Sequence, residues 1–583
     1  MNMKKLSIIL GLAMAFNAGA QLGFTDASAT VFTDSEVASS HPVGITDMNK
    51  DGLDDVIRMG SGLIILVDYQ QADGTYIEVE LGALGSEEGE WGVDNAWGLA
   101  IADVDGNGMC DIMAGGFYDT IKIGLVSSDG MTMEVTYAEA EDIFVQGINF
   151  FDLDYDGHVD IFACHDDGPS LIVLNDGTGG YTYDDMEVTA LLNTSLNGTD
   201  EEGSGNYGSC FTDVNNDGYC DLYIAKCRQG VTDNTDPRRI NQLWLYDPET
   251  NSYNEAAVAA GIAVGAQSWS ADFGDIDNDG DMDMYCANHD TNNMLFVNDG
   301  TGVFTDVSAA AGLDEVVPFA TIQTAMRDFD NDGFIDILAT GGTSYIIAMN
   351  NGDGTFTVED EIFSEDINSF GLGDVNNDGY VDILAITGGY GGWGEADDKI
   401  LMNDGGDHNY LMVDLTGVVS NPDGIGARVT IEGAFGTMIR DVKSGESYGI
   451  MNSMISHFGL GQNDTIETLT VTWPSGTVDI LNDVDANQTI TVEEGGNVGV
   501  AELENNVNVN IYPNPMMDEL TIDSDINQGK IELLDAQGRL VLSQELNGSK
   551  TTLDTSHLPS GHYTWTLNSN KVLVASGKVI KQS

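Results

Sequence analysis

The chain has 583 residues, of which 20 are lysine or arginine and 96 are aspartate or glutamate, so its formal net charge is −76. This charge excludes nucleic acid and anionic lipid surfaces as natural partners and makes cations the expected counterpart. The 42% hydrophobic content and the 71 glycines indicate a folded chain of many short strands and turns. The length predicts more than one domain.

The first twenty residues have the pattern of a secretory signal peptide. Residues 1–5 include two lysines, residues 6–16 are largely apolar and residues 18–20 are small. Because the apolar run is shorter than the ~20 residues that span a bilayer, we expect cleavage before Gln21, secretion, and no transmembrane segment. Export would place six cysteines in an oxidising compartment, where disulfides and buried free thiols both stay open. They are Cys110, Cys164, Cys210, Cys220, Cys227 and Cys286.

One nine-residue pattern recurs seven times along the first two thirds of the chain. Numbered from its first aspartate, it has Asp or Asn at positions 3 and 5, Gly at position 6 and Asp at position 9. A strand-like run follows each copy. The copies are DMNKDGLDD (47–55), DVDGNGMCD (103–111), DLDYDGHVD (152–160), DVNNDGYCD (213–221), DIDNDGDMD (275–283), DFDNDGFID (328–336) and DVNNDGYVD (374–382).

This spacing suits a hard divalent cation. Ca²⁺ takes six to eight oxygen ligands at about 2.4 Å, and a tight loop that bends at glycine can direct alternate side chains inward while position 7 offers its backbone carbonyl. An EF-hand needs Glu at position 12, which no copy has. Solvated acidic turns would not require acids at positions 1, 3, 5 and 9. We therefore predict about seven structural Ca²⁺ ions.

The predicted ligands occupy positions 1, 3, 5, 7 and 9 of every copy. They are Asp47, Asn49, Asp51, Leu53 and Asp55; Asp103, Asp105, Asn107, Met109 and Asp111; Asp152, Asp154, Asp156, His158 and Asp160; Asp213, Asn215, Asp217, Tyr219 and Asp221; Asp275, Asp277, Asp279, Asp281 and Asp283; Asp328, Asp330, Asp332, Phe334 and Asp336; and Asp374, Asn376, Asp378, Tyr380 and Asp382.

The interval between copies, 46 to 62 residues, is typical of a solenoid, propeller or array. Second turns such as LNDGTGG (174–180), FVNDGTG (296–302) and MNNGDG (349–354) leave room for four short strands per repeat. We predict an all-β chain that begins with a seven-bladed β-propeller over residues 21–405. The repeats resemble the FG-GAP/VCBS repeat family, and the resemblance implies that the blades carry Ca²⁺ in these loops.

The seventh blade lacks a final strand of its own, because the chain runs directly from 401–410 into a region of different composition. The expected mature N terminus contains FTDAS (24–28), which nearly repeats FTDVS (304–308) from the fifth blade. An unpaired strand edge is an aggregation risk. We therefore predict that residues 22–28 form the outer strand of the blade that contains Asp374–Asp382.

Residues 406–496 are predicted to form a small β-domain, because apolar and polar residues alternate with few helix signals. The segments HNYLMVDLTGVVSNPDGIGARVTI (408–431), HFGLG (457–461) and VTWPSG (471–476) resemble the UnbV/ASPIC domain. The order of repeats followed by this domain is similar to the cartilage acidic protein family and its bacterial relatives. That resemblance implies an extracellular protein with a role in matrix or cell-surface interaction.

An acidic, Asn-rich linker is predicted at 497–510 and a β-sandwich at 511–583. The segments IYPNPMMDELTI (511–522), IELLDAQGRLV (531–541) and LDTSHLPSGHYTWTL (553–567) resemble the C-terminal sorting domain of the type IX secretion system of Bacteroidota. The resemblance implies that the type IX machinery is a partner. It also implies a mature protein that is attached to the outer-membrane surface or released.

Two motif matches are interpreted as structural. GESYG (445–449) fits a nucleophile elbow at Ser447, but that pattern needs a strand-to-helix turn in an α/β sheet, so we expect a β-turn. GYGGWG (389–394) fits G-x-G-x-x-G but precedes acidic residues and opens no helix, so we expect a loop. Its Tyr390 and Trp393 could stack on a sugar ring or pack within the loop.

A cluster of basic residues stands out in this acidic chain. Four of the twenty positive residues lie within fourteen positions, at Lys226, Arg228, Arg238 and Arg239. Pairing with neighbouring acids is the favoured interpretation, and a patch for an anionic ligand is the alternative.

Two functions remain open from the sequence. The first is a Ca²⁺-binding surface or adhesion protein that recognises a glycan or protein ligand without catalysis, since the sequence reveals no catalytic constellation. The alternative is a Ca²⁺-dependent polysaccharide-degrading enzyme of the lyase type, which needs a cluster of Lys, Tyr, His or Arg in a cleft.

Overall fold

The structure is a computed structural model with two compact units, Met1–Asn497 and Val498–Ser583. The predicted signal peptide, the motif GYGGWG at 389–394 and most of the predicted linker lie outside the described residues. Described are residues 22–33, 37–39, 42–85, 96–118, 120–138, 143–177, 180–182, 204–314, 321–341, 344–359, 362–363, 367–387 and 396–496 of the first unit, and 509–512, 516–517, 519–524, 529–534, 540–546, 548–559, 561–569 and 572–581 of the second.

The repeat region forms seven antiparallel sheets, which we call blades 1 to 7 and which each contain four strands from the described part of this region. Blades 1 to 4 contain β2 (Val43–Thr46), β3 (Asp55–Gly60), β4 (Ile64–Gln70) and β5 (Tyr76–Ala83); β6 (Ala96–Ala102), β7 (Asp111–Gly116), β8 (Lys122–Val126) and β9 (Met133–Tyr137); β10 (Val145–Phe151), β11 (Asp160–His165), β12 (Leu171–Asn175) and β13 (Tyr181–Thr182); and β14 (Asn206–Thr212), β15 (Asp221–Lys226), β16 (Gln242–Asp247) and β17 (Ser252–Glu255).

Blades 5 to 7 contain β18 (Ser268–Gly274), β19 (Asp283–Asn288), β20 (Met294–Asn298) and β21 (Phe304–Asp306); β22 (Gln323–Arg327), β23 (Asp336–Gly341), β24 (Ser344–Asn350) and β25 (Phe356–Glu359); and β26 (Ile367–Gly373), β27 (Asp382–Thr387), β28 (Lys399–Asn403) and β1 (Phe24–Asp26). Three one-turn helices interrupt the strands in the described part of the chain: α1 (Ser28–Val31), α2 (Ala257–Ala260) and α3 (Ser308–Ala311). The all-β fold class is confirmed.

Burial decreases from the first strand of a blade to its fourth wherever the side chains of both strands are described. The first strands β10, β14, β18 and β26 are buried at every residue. The fourth strand β9 has no fully buried residue. Apolar clusters extend from one blade to the next, as where blades 1 and 2 share one core. Burial between adjacent sheets therefore supplies the main hydrophobic stabilisation.

The predicted closure of the ring is confirmed. β1 pairs antiparallel with β28, with Phe24 opposite Asn403 and Asp26 opposite Leu401. The blade-5 counterpart, β21, is followed by the same short helix, and the Ser28 hydroxyl donates to Asp26 at 2.6 Å just as the Ser308 hydroxyl donates to Asp306. The N-terminal segment thus completes the sheet that the end of the repeat region leaves one strand short.

The second domain follows directly and consists of two sheets. One has the strand order β33–β29–β36 and the other β31–β30–β34–β35. Their bounds are β29 (Asn409–Thr416), β30 (Arg428–Gly433), β31 (Gly436–Asp441), β33 (Ser456–Gly461), β34 (Thr465–Thr472), β35 (Val478–Asp485) and β36 (Gln488–Glu493). A short strand between β31 and β33, β32 (Ile450–Met451), leaves this domain and pairs in parallel with β2 of blade 1.

The segment around β32, residues 443–453, fills the centre of the ring, and we call it the plug. It contacts the first strand of every blade. Ser444 bonds Ile101, Gly445 accepts from Asn149, Lys443 pairs with Asp272, and Asn452 accepts from the Leu372 N–H. Blades 1, 4 and 6 meet the plug at Gly44, Gly208 and Thr324.

Glycine is required where the plug passes close to blade 4. A Cβ on Gly208 would lie 2.3 Å from the Ser447 carbonyl oxygen. The predicted β-turn at 445–449 is therefore the tip of a segment that closes the channel of the ring.

The second unit contains two sheets with the strand orders β37–β38–β41 and β40–β39–β42–β43. Their bounds are β37 (Val509–Tyr512), β38 (Glu519–Ser524), β39 (Lys530–Leu534), β40 (Leu540–Glu545), β41 (Lys550–Asp554), β42 (Gly561–Ser569) and β43 (Val572–Lys581). Leu520, Ile531, Leu533, Leu553 and Leu567 are fully buried in its core.

All six cysteines are free and buried. Of the two possibilities that the sequence leaves open, the structure shows buried thiols rather than disulfides.

Candidate functional site

The aspartate at position 1 closes six of the seven loops with the same pair of hydrogen bonds, and in the blade-6 loop Asp328 accepts, among the described residues, only the Gly333 N–H. In blade 1, Asp47 accepts the N–H of Asp51 at 3.1 Å through Oδ1 and that of Gly52 at 2.6 Å through Oδ2. The same pair of bonds closes the loops that begin at Asp103, Asp152, Asp213, Asp275 and Asp374. The position-1 carboxylate therefore holds the loop closed through hydrogen bonds to the backbone, without the help of an ion.

The aspartate at position 9 ties the loop to its own blade. In blade 5, Asp283 accepts the Ile276 N–H at 3.0 Å and the Asn298 N–H of the third strand at 2.8 Å. Equivalent pairs of bonds are made by Asp55, Asp111, Asp160, Asp221, Asp336 and Asp382. The aspartate at position 9 thus joins the loop to the third strand of its blade. Its carboxylate oxygens each have a further lone pair that a cation could use.

Positions 4 and 6 bend the loop through left-handed backbone. The glycine at position 6 has a φ between 84° and 98° in all seven loops. Position 4 has positive φ too, and four blades place asparagine there: Asn216, Asn278, Asn331 and Asn377. Asparagine tolerates this conformation better than other non-glycine residues. Sequence reasoning missed position 4, although the repeated asparagine was a readable signal.

The loops bring several of their carboxylates together. In four of them, three carboxylates have oxygens within 4.8 Å of one another. The groups are Asp103, Asp105 and Asp111; Asp152, Asp154 and Asp160; Asp275, Asp277 and Asp279; and Asp328, Asp330 and Asp332. The loops that begin at Asp47, Asp213 and Asp374 have Asn at position 3 and so contribute fewer acids. All the predicted ligands lie in these seven loops, at one face of the ring, and their role as ligands stays a prediction.

Two buried oxygens test whether the loops fit a cation. Asp328 is 1% exposed, and its Oδ1 has no hydrogen-bond partner among the described residues. The Oδ1 atom of Asp281, at position 7 of blade 5, is also buried without such a partner. An unsatisfied buried carboxylate oxygen is costly. Several clustered acidic oxygens of this kind fit a hard divalent cation.

Burial also raises the pKa values of the loop carboxyls. It raises the pKa of Asp47, Asp152 and Asp374 to about 7, and that of Asp111 and Asp283 to about 8. Burial disfavours the charged form of an acid, and neighbouring acids in the same loop act in the same direction. A bound divalent cation would reverse both effects by supplying the missing positive charge.

The second domain covers this face of the ring. The Asp103 N–H donates to Asp423 at 2.8 Å, and Lys50 Nζ lies 2.9 Å from Asp423 and 3.1 Å from Asp103. His457 Nε2 lies 3.0 Å from the Gly379 carbonyl oxygen of the blade-7 loop. Further contacts reach the loops of blades 3, 4 and 6. The acidic loops therefore lie at the junction of the two domains.

A second set of residues, which the sequence did not reveal, joins neighbouring blades. Asn298, at the end of the third strand of blade 5, donates through Nδ2 to the Val214 carbonyl of blade 4 at 2.8 Å and to the Met282 carbonyl of its own loop at 3.1 Å. Equivalent bridges are made by Asn175, Asn350 and Asn403. The signal was the first Asn of the second turn, as in VNDG and MNNG.

The basic cluster is mostly paired, as the favoured interpretation predicts. Arg228 Nη1 lies 2.6 Å from Asp167, Arg238 pairs with Asp236 and Arg239 pairs with Asp290. Lys226 is fully buried, and burial lowers its pKa to about 8. An anionic-ligand patch therefore receives no support from this lysine.

Ser447 has a structural role. Its hydroxyl accepts the Thr324 N–H at 3.1 Å, and the side chain is 2% exposed within the plug.

Three family descriptions match the chain. Residues 213–286, 275–325 and 328–385 match the FG-GAP-like repeat. Residues 417–498 match ASPIC and UnbV, and residues 510–582 match the secretion system C-terminal sorting domain. The three resemblances predicted from the sequence are confirmed.

Curated relatives cover part of the chain. Cartilage acidic protein 1 of Xenopus tropicalis is 23% identical over 261 residues, which are 42% of this chain and 39% of that protein. The Homo sapiens protein is 24% identical over 262 residues, 42% of this chain and 38% of that protein. The chain thus spans about two fifths of the length of the curated relatives it matches.

Solved structures show weaker likeness. A lectin from Burkholderia pseudomallei covers 60% of this chain and 93% of its own at 12% identity and a TM-score of 0.39. The extracellular domain of a putative one component system from B. thetaiotaomicron covers 96% of this chain and 58% of its own at 11% identity and a TM-score of 0.37. Scores this low carry no conclusion about this chain.

Among the described residues, no helix is long and apolar enough to cross a membrane. The sorting domain indicates export by the type IX secretion system. The chain is a secreted or outer-membrane-surface protein built of FG-GAP-like repeats in a β-propeller, an ASPIC and UnbV domain and a secretion system C-terminal sorting domain.

Proposed function

We propose that the chain is a Ca²⁺-stabilised surface protein that binds a glycan or protein ligand and catalyses no reaction. The observation that carries this proposal is the position of the acidic loops between the propeller and the second domain. Cations held there would be structural ions beside the junction of two packed domains. Their chemistry would be the neutralisation of buried carboxylates.

The second domain supports the same proposal by closing the ring from this face. The plug fills the channel, where its Glu446 pairs with Arg327 of blade 6 and its Lys443 pairs with Asp272 of blade 5. A ligand would therefore bind on the opposite face or on the rim.

One observation favours the alternative function, a polysaccharide lyase. Tyr118 and Arg228 follow the second strands of blades 2 and 4, and His165 is the last residue of the second strand of blade 3, so all three lie on the face opposite the acidic loops. However, the hydrogen bond from Tyr118 to Asp167 is the main cause that raises the Tyr118 pKa to about 12. A tyrosine base needs a lower pKa, so this arrangement favours binding over elimination.

One experiment separates the two functions. The purified protein is exposed to a panel of soluble glycans and of candidate surface proteins, while saturable binding and the release of unsaturated sugar product are both measured. Bound metal is counted in parallel by elemental analysis after dialysis against Ca²⁺ and Mg²⁺. Binding without product, together with bound Ca²⁺, is the expected result. Release of unsaturated product would establish the enzyme instead, and a protein free of Ca²⁺ would remove the structural-ion part of the proposal.

A further inference from the structure

The face opposite the acidic loops carries a group of polar and aromatic side chains at the end of the central channel. In each blade, the acidic loop joins the first strand to the second at the covered face, so the second strand ends at the other face. We call the group at blades 2 to 4 the channel mouth. It consists of Trp97, Phe117, Tyr118, Phe144, Asp167 and Arg228.

Four aromatic rings form one side of the channel mouth. The Phe144 ring centroid lies 4.6 Å from that of Phe117, 5.7 Å from Tyr118 and 6.2 Å from Trp97. All four side chains are partly exposed. Edge-to-face contact holds several of these rings in fixed orientations, which gives a preformed apolar surface at low entropic cost.

The backbone at Tyr118 is strained. Its φ is +47°, in the left-handed region that a bulky residue rarely adopts. Such an outlier persists only when the surroundings hold it in place, and outliers of this kind concentrate at binding sites. Here the Tyr118 hydroxyl donates to Asp167, which fixes the ring at the boundary between the aromatic side and the polar side of the mouth.

The polar side presents a donor beside an acceptor. Arg228 Nη1 lies 2.6 Å from Asp167 Oδ1, and the two side chains are 24% and 29% exposed. Arg228 also contacts Asp166 at 3.1 Å. Nε and Nη2 of Arg228 have no hydrogen-bond partner among the described residues, so these N–H groups remain available to a ligand.

The plug supplies the floor beneath the mouth. The ring of Tyr448, at the tip of the plug, lies 5.1 Å from Trp269 and 6.0 Å from Tyr207. Its hydroxyl donates to Gln146 at 2.6 Å. Because Tyr448 is fully buried, the floor is closed, and a ligand would lie across the mouth rather than enter the channel.

We propose that the channel mouth binds the sugar rings of a neutral glycan. The apolar C–H face of a pyranose stacks on aromatic rings, and its vicinal hydroxyls pair with a donor and an acceptor held side by side, here Arg228 and Asp167. One arginine against Asp166 and Asp167 leaves the mouth slightly acidic, in a chain of net charge −76, so an anionic glycan would be repelled. The assignment rests on the binding function proposed above.

The test measures binding of the full chain, in Ca²⁺ buffer, to soluble β-glucan, mannan and xylan, with alginate as the anionic comparison. The variants are Tyr118→Ala, Tyr118→Phe and Arg228→Ala. The matched control is Tyr137→Ala, which removes an aromatic side chain that is 47% exposed on the outer strand of blade 2. The melting temperature of each variant shows whether it is folded.

The parent should bind at least one neutral glycan and alginate least. We expect Tyr118→Ala and Arg228→Ala to weaken this binding by about tenfold or more, equivalent to ~1.4 kcal/mol. Tyr118→Phe keeps the ring and should keep most of the affinity, and Tyr137→Ala should bind as the parent does.

Unchanged glycan binding by folded Tyr118→Ala and Arg228→Ala would overturn the assignment of the mouth while leaving the proposed function intact. A parent that binds only a protein ligand, or prefers alginate, would also overturn it. A parent that binds no ligand of either kind would overturn the proposed function and this assignment together.

Discussion

Removal of divalent cations should destabilise the first unit more than any single substitution. At free Ca²⁺ ten times a site's dissociation constant, each filled site adds about 1.4 kcal/mol, so seven sites add on the order of 10 kcal/mol. That sum is comparable with the whole free energy of unfolding of an ordinary domain. Without cations, the loop carboxyls must be buried as charges or take up protons, as the raised pKa of Asp152 shows.

The assay is thermal unfolding monitored by calorimetry. It is carried out in millimolar Ca²⁺, in excess EDTA, and in EDTA after Ca²⁺ has been restored. The loops contact the second domain through pairs such as Lys50–Asp423 and His457–Gly379. We therefore expect the propeller and the second domain to unfold in one transition, and EDTA to lower the melting temperature of that transition. The C-terminal unit has its own core, so its transition should be insensitive to EDTA.

Partial chelation should empty the loops in order of their charge. The loops with three acids among positions 1, 3, 5 and 9 should lose their ions before the loops with four, because ligand charge tunes affinity. The three-acid loops begin at Asp47, Asp103, Asp213 and Asp374. An unchanged melting temperature in excess EDTA would refute the structural role of the ions. Separate melting of the second domain would refute the argument that the loops join it to the propeller.

Three further predictions concern single elements of the fold. Asn298→Ala leaves two buried carbonyls without their donor and should cost about 2–4 kcal/mol in urea unfolding, whereas Asn351→Ala, in the exposed part of an equivalent turn, should cost little. Burial lowers the pKa of His457 to about 4, so the unfolded state binds the proton first as pH falls below 6.5. The contribution of His457 to stability should then drop by about 3 kcal/mol between pH 7 and pH 4, and His457→Gln should remove that part of the slope. Deletion of residues 22–28 exposes the edge of β28 and should lower the melting temperature and promote aggregation; a deletion variant that melts like the parent would contradict this.

Much of the propeller could be predicted because its information is local and repeated. In each loop, Gly at position 6 permits the bend and Asp at position 9 bonds the loop to its own blade. The spacing of these residues alone therefore locates each loop in the sequence. Ring closure was also readable, since residues 24–28 repeat 304–308. These features depend on neighbours within one repeat or on direct similarity between repeats.

The plug and the channel mouth could not be predicted, because their contacts join distant segments. Ser447 accepts from Thr324, 123 residues earlier, and Lys443 pairs with Asp272, 171 residues earlier. GESYG therefore resembled a motif of another fold, and nothing within five residues indicated that it would fill a channel. Tyr118 and Arg228 likewise meet at Asp167 only because three blades stand side by side.

The acidity of the chain divides into two parts with different physical roles. Twenty-four of the 96 acidic residues lie at positions 1, 3, 5 and 9 of the loops, on the side of the ring that contacts the second domain. Seven divalent ions would return fourteen positive charges, which changes the net charge from −76 only to −62. Most of the remaining acids lie outside the loops and far outnumber the twenty basic residues. Because several of those basic residues, among them Lys50, Arg327 and Lys443, are bound to acids at the domain junction, few are left to offset the outer charge. Metal binding would thus account for the acids of the loops, while we expect the outer acidity to favour solubility and to disfavour anionic ligands.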